Sequence, residues 1–333
     1  MKKSKSWSLA LIAIMVLSVV SCGSNSKTAV TTDQQEAVEV PVFDADSAYS
    51  YVDAQVAFGP RVPNTAAHVA CGNYLARKLE SFGAVVTNQY ADLTAFDGTI
   101  LKARNIIGTY KPETKRRVLL FAHWDSRKWA DKDRDPANHH KPILGANDGA
   151  SGVGILLEIA RLIQQQEPAI GIDIIFFDAE DYGAPDFYDG PHKDEYWCLG
   201  SQYWSRFPHV PGYNARYGIL LDMVGGPNTT FYREYFSEKY ARNVNNKVWK
   251  MARKLGYERY FIDEQGGGVT DDHLPVNQIA RIPSIDIVPN EVDNPHSTFG
   301  STWHTIHDTM EFIDKSTLKA VGQTVLGVIY NEK

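Results

Sequence analysis

Cysteine is scarce. Of three in 333 residues, Cys22 falls in the leading segment, so Cys71 and Cys198 are the only thiols left for the body of the chain. A disulfide framework is therefore not what holds this protein together. Export would permit a Cys71–Cys198 bridge, but Cys71 sits inside an apparent helix and reads as core packing. No Lys/Arg-rich block occurs, and the net charge of −6 is spread over mixed acidic and basic residues. That pattern argues against a nucleic-acid partner. No repeat and no second apolar core is visible. What is present is 43% hydrophobic and 22% charged residues, enough to bury the core of one α/β domain carrying long loops.

The leading apolar run, Leu9 to Val20, is too short and too simply flanked to make a good membrane span. Lys2, Lys3 and Lys5 precede it, and Cys22 follows Val19-Val20-Ser21, which resembles a bacterial lipobox. Residues 1–22 are expected to be a lipoprotein signal peptide, with Cys22 lipidated as the mature N-terminus. An ordinary signal peptide with an incidental cysteine is the alternative. Residues 23–42, rich in Ser, Thr and Gln without hydrophobic periodicity, read as a flexible tether, and 43–333 as the folded domain. No acidic cluster follows Cys22, so the expected location is a bacterial membrane, through the lipid anchor, with the domain facing the periplasm.

Helix-spaced apolar residues run through Asp44 to Phe58 and Ala66 to Phe82, around a Pro-rich corner. Ala84 to Tyr90 and Lys102 to Tyr110 alternate as a hairpin-like edge. Arg117 to Ala122, Ile172 to Phe177, Tyr217 to Met223 and Ser284 to Val288 are short, continuously apolar strands. Gly149 to Gln165, Glu234 to Leu255 and Phe312 to Tyr330 are predicted helices. Buried strands alternating with amphipathic helices predict a single α/β domain whose mostly parallel, twisted central sheet carries helices on both faces.

Ligands of open α/β sheets bind beyond the carboxyl ends of the strands. There the sequence places His123-Trp124-Asp125-Ser126, Asp178-Ala179-Glu180-Asp181 and Asp222, with Asn147-Asp148 just before a helix. Any one of these acids could be a loop carboxylate, and Asp148 stands where an N-cap belongs. Their convergence argues otherwise, because several acids and two histidines at neighbouring strand ends repel and desolvate one another unless a cation joins them. Mixed carboxylate and imidazole ligands suit zinc.

From about Asn105 onward the chain resembles the zinc aminopeptidase and glutaminyl cyclase superfamily, whose pattern the segments above share. It continues in Leu221-Asp222-Met223-Val224-Gly225-Gly226-Pro227, Asp271-Asp272-His273-Leu274-Pro275 and Trp303-His304-Thr305. The resemblance implies a zinc aminopeptidase-like fold, with Asp148, Asp181 and His304 as metal ligands and Glu180 as general acid/base. Within the superfamily two branches compete. Aminopeptidases hold two zincs, and His123 and Asp222 are of the type that would complete a second site. The Asp222 segment, the Asp271 loop and Trp303 beside the histidine favour the cyclase branch, in which one zinc suffices.

That branch implies cyclisation of the N-terminal glutamine of peptides or proteins to pyroglutamate with release of ammonia. Asp222 and Asp271 would hydrogen-bond each other and orient the substrate amine, while Trp303 walls the side-chain pocket, although Trp303 alone also fits core packing. Trp197 is a further pocket candidate, at the end of the insertion Tyr182 to Trp197, itself expected to form a lid or rim. His123 is then a second-metal or supporting residue. The chain departs from the animal cyclases at Asp181, Gly149 and Asp286, where glutamate, a hydroxyl residue and histidine are expected, so the hydrogen bonds beneath the site must differ. A metal-free binding lipoprotein on the same fold is the reading from another class. No amide-reading motif is visible, and glutamine specificity rests on resemblance alone.

Overall fold

The computed structural model describes residues 39–333. The signal peptide, Cys22 and most of the tether lie outside the described residues. The end of the tether is held on the domain: Gln166 donates to the Glu39 carbonyl at 2.7 Å, Gln323 to that of Pro41 at 3.0 Å, and the Phe43 N–H to Gln323 at 2.8 Å.

Two helices open the domain, α1 (Ala45–Val56), capped by Asp44, and α2 (Ala66–Ser81), capped by Thr65. Strands β1 (Val85–Thr94) and β2 (Ile100–Tyr110) form the antiparallel edge hairpin. Then come β3 (Arg117–His123), α3 (Ala150–Gln165), β4 (Gly171–Phe177), α4 (Leu199–Arg206) and β5 (Gly218–Leu221). The chain closes through β6 (Phe231–Arg233), α5 (Tyr235–Lys254), β7 (Phe261–Gln265), α6 (His273–Gln278), β8 (Ser284–Ile287) and α7 (Lys315–Tyr330).

The main sheet runs β1-β2-β4-β3-β5-β8, and β4, β3, β5 and β8 are mutually parallel. Alternation along the strands splits the core. Val118, Leu120 and Ala122 of β3 face a large apolar cluster shared with α1, α2, α3, α5 and α7, while Leu119 and Phe121 face a smaller one with Trp204 of α4 and Val276 of α6. The expected two-faced α/β sandwich is thus present. Among the described residues no helix is long and apolar enough to cross a membrane.

Three local expectations give way. The β6–β7 pair and the short α4 and α6 were not foreseen, because three- to eight-residue elements carry too little periodicity to read. The last helix starts at Lys315, capped by Asp314, because Met310–Phe312 forms a separate 3-10 turn. Asp148 does not cap α3. Gly149 takes that place at φ 88° with no side-chain cap bond, which frees the Asp148 carboxylate for other contacts.

Candidate metal centre and active site

The carboxyl ends of β3, β4 and β5 and the start of α3 converge as the strand-end argument requires. Gly152 makes this approach feasible, since a Cβ there would collide with the Leu221 carbonyl oxygen. Asp148, Asp181 and His304 each offer one ligand atom within 4.8 Å of the others, and all three are buried. His304 Nε2 is 3.3 Å from Asp181 Oδ1 and 3.7 Å from Asp148 Oδ2. A second trio, His123, Asp148 and Asp222, shares Asp148 with the first.

The donors fit a divalent cation of zinc type. Burial, followed by the charge of Arg127, lowers the His304 pKa to about 3, so the imidazole is neutral and its lone pair available. Asp181 Oδ2 and His304 Nδ1 are buried without a hydrogen-bond partner. Burial and then the Asp148 charge push Asp181 well above the carboxylate range. A cation among these groups would offset that cost.

Glu180 is 9% exposed at the edge of the trio. Burial raises its pKa well above the ordinary value, against the charge of His123 and helped by Asp271 and Asp181. Cys198 Sγ stands 3.4 Å from Glu180 Oε1. Burial and then Asp222 raise Asp271 to about 7, and burial raises Asp222 to about 6 against the hydrogen bond from His123. Asp222 and Asp271 line the same cavity. His123 Nε2 lies 3.1 Å from Asp222 Oδ1, and both carboxylate oxygens of Asp286, the residue that stands where a histidine was expected, are buried without a hydrogen-bond partner.

Aromatic walls surround His304. Trp303 stacks on it with centroids 4.0 Å apart, and Trp197 lies nearly parallel, 6.1 Å away and tilted by 12°. Both tryptophans line the cavity that holds Asp148, Glu180, Asp222 and Asp271, so the core-packing reading of Trp303 is set aside and Trp197 joins the site. Asp194 also lines it, so the end of the Tyr182 to Trp197 insertion forms part of the rim. Cys71 and Cys198 are both free and buried.

Several strand-end acids are scaffold. Asp125 accepts the backbone N–H groups of Glu180 and Asp181 at 3.1 and 3.2 Å, which fixes the loop carrying them. Asp178 pairs with His68 at 2.9 Å. Asp308, which the sequence reading did not single out, accepts the N–H groups of Asn147 and Asp148 at 2.7 and 3.0 Å. Its only sequence signal is its place four residues after His304. Ala179, Cys198, Met223 and His304 all have φ between 50° and 57°, a cluster of left-handed backbone of the kind that marks functional sites.

The chain is similar to several known proteins. The family model Peptidase family M28 matches residues 105–329. A crystal structure of glutaminyl cyclase from Bacteroides thetaiotaomicron, bound to N-acetylhistamine, is 71% identical with a TM-score of 0.87, covering 89% of this chain and all of that one. A structure described as a leucine aminopeptidase precursor from the same organism is 70% identical with a TM-score of 0.86, at the same coverage. The glutaminyl-peptide cyclotransferase of Drosophila melanogaster is 25% identical over 282 residues, 78% of this chain and 73% of its own length.

Proposed function

The chain belongs to peptidase family M28, and from that premise we propose that it is a zinc-dependent glutaminyl-peptide cyclotransferase acting on peptide and protein N-termini that bear glutamine. The observation that carries this reading is the tryptophan-walled cavity over the Asp148–Asp181–His304 trio, with Glu180 at its edge. The likeness to bacterial glutaminyl cyclase supports it.

Asp148, Asp181 and His304 would hold one zinc. Bound there, zinc supplies Lewis-acid polarisation of the glutamine γ-carbonyl. The substrate carries its own nucleophile, since its α-amine attacks the carbonyl carbon of the side-chain amide and the ring C–N bond forms as the amide C–NH2 bond breaks. The protein's task is to hold the two ends in register. Glu180 takes the proton from the attacking amine and returns it to the departing nitrogen, which leaves as ammonia. Its raised pKa suits a group that must both accept and donate. Asp222 and Asp271 line the cavity beside it and orient the amine, and Trp303 and Trp197 exclude water that would otherwise compete.

The His123–Asp148–Asp222 trio favours a second reading, a two-zinc aminopeptidase. One assay separates them. Purified protein is incubated with Gln-peptides and with leucyl-anilide, with and without chelator. Ammonia and pyroglutamate formed in a chelator-sensitive way support the cyclase; leucine released without ammonia overturns it.

Cys22 and the leader before it carry a further proposal: the mature protein is lipid-anchored, with the domain on the periplasmic side. Mass spectrometry of the membrane-extracted N-terminus tests this, and an unmodified cysteine or a different mature end overturns it.

A further inference from the structure

Arg127 and Asp131 lie four residues apart in the loop that leaves β3, and neither belongs to the Asp148–Asp181–His304 or the His123–Asp148–Asp222 trio. Both side chains are 1% exposed. Arg127 grips both oxygens of Asp131, Nε on Oδ1 at 2.6 Å and Nη2 on Oδ2 at 2.7 Å. Its remaining nitrogen, Nη1, reaches the main-chain carbonyl of Asp181 at 3.1 Å and that of Gly183 at 3.4 Å. The guanidinium carbon sits 4.8 Å from the Trp197 ring centroid. Only a planar fork serves a carboxylate in two-point fashion while a third nitrogen bonds elsewhere; the point charge of a lysine could not.

Asp131 in turn faces His304. Its Oδ1 is 3.5 Å from His304 Nδ1, a nitrogen without a hydrogen-bond partner among the described residues, while Nε2 points toward Asp148 and Asp181. The backbone holds the same segment, because the Lys132 N–H donates to the His304 carbonyl at 3.1 Å. Asp133 continues the grip by accepting the Ile306 N–H at 3.1 Å. A buried ion pair is weak evidence of added stability, since desolvation offsets the attraction. Its value here lies in what it aligns. Metal-ligating histidines commonly donate their other ring N–H to a carboxylate, which fixes tautomer and ring orientation.

We propose that Arg127 and Asp131 form a positioning clamp: Asp131 accepts the Nδ1–H of His304 and so presents the Nε2 lone pair to zinc, and Arg127 locks Asp131, the Asp181 main chain and the Trp197 wall into one unit. The inference rests on the metal reading of Asp148, Asp181 and His304. It couples metal affinity to pocket shape. Arg127 touches the ligand loop, the orienting carboxylate and the pocket wall together.

The test uses Asp131→Asn and Arg127→Lys beside wild type, with zinc affinity measured by competition against a chromophoric chelator and thermal melts of the metal-free proteins as the control for folding. Asp131→Asn is expected to weaken zinc by about 10–100-fold and, because it leaves the buried Arg127 charge uncompensated, to lower the metal-free melt as well, so affinities are compared at a temperature where both metal-free proteins remain folded. Arg127→Lys is expected to weaken zinc and also to raise KM for a Gln-peptide more than it lowers kcat, because Trp197 loses its support. Wild-type zinc affinity in both variants overturns the clamp.

A second measurement needs no variant to fold. In zinc-loaded, 15N-histidine-labelled wild type, the resonance that disappears in His304→Gln should carry its proton on Nδ1, and a proton on Nε2 overturns the proposal. If wild type itself binds no zinc, the metal reading fails, a result distinct from intact affinity in the variants.

Discussion

His123 and Asp222 are joined through Nε2 and Oδ1 at 3.1 Å, and the same nitrogen lies 3.1 Å from Asp148 Oδ1. Burial alone would lower the His123 pKa. The carboxyls of Asp125, Asp148 and Asp222 outweigh it and raise that pKa well above the ordinary imidazole value. On the cyclase reading His123 bridges the two carboxylates as a hydrogen-bonding group rather than as a ligand of a second metal. Wild type is therefore expected to hold one zinc per chain, and His123→Asn to keep it, with affinity reduced by about 10-fold through the lost support to Asp148. Elemental analysis of dialysed protein checks this. Two zincs in wild type falling to one in the variant would move the chain to the aminopeptidase reading.

Glu180→Gln should separate chemistry from metal binding. The amide keeps the shape and cannot shuttle a proton, so zinc content should match wild type while turnover falls by roughly 10²–10⁴-fold. Ammonia release measured beside zinc content reads both. Near-normal turnover would sink the acid/base assignment.

Acid stability should report on Glu234, a buried residue that belongs to no metal-capable cluster among the described residues. Burial pushes its pKa up, but His273 at 3.2 Å, the backbone N–H of Phe236 and the Ser237 hydroxyl outweigh that and hold it at about 2. A carboxylate depressed in the folded state stabilises the protein above its unfolded pKa of about 4.3 and loses that contribution as pH falls toward 2. The contribution is on the order of 3 kcal/mol. Thermal melts between pH 6 and pH 2 should show wild type losing this part across the window. Glu234→Gln should start less stable and show a shallower decline; parallel curves would contradict the assignment.

Gly152→Ala tests the approach of α3 to β5. A methyl group there must displace the Leu221 carbonyl, and the Ala122 side chain also crowds it at 3.0 Å. Overpacking of this kind costs typically 1–3 kcal/mol. Denaturant unfolding should show that loss, together with weaker zinc binding because α3 carries Asp148 at its start. An unchanged midpoint would mean the interface yields more readily than its packing implies.

Much of the fold was legible because burial on both faces leaves an unmistakable mark. Arg117 to Ala122 and Ile172 to Phe177 are continuous apolar runs, and β3 and β4 appear within a residue of those bounds. The short β6, β7 and α4 left no such mark, since their few residues are placed by neighbours rather than by their own pattern.

The site was legible as a set of residues and not as a division of labour. The chain by itself determined that acids and histidines gather at the carboxyl ends of parallel strands, because strand direction and right-handed crossovers leave those ends on one side. It could not say that Asp125 and Asp178 serve the scaffold while Asp181, a neighbour of the same chemistry, faces His304. Nor could it single out Arg127, Asp131 and Asp308, which sit in loops without periodicity. Those choices depend on which oxygen meets a backbone N–H and which is left without one. Only the tertiary structure decides them, because the partners come from segments distant in sequence.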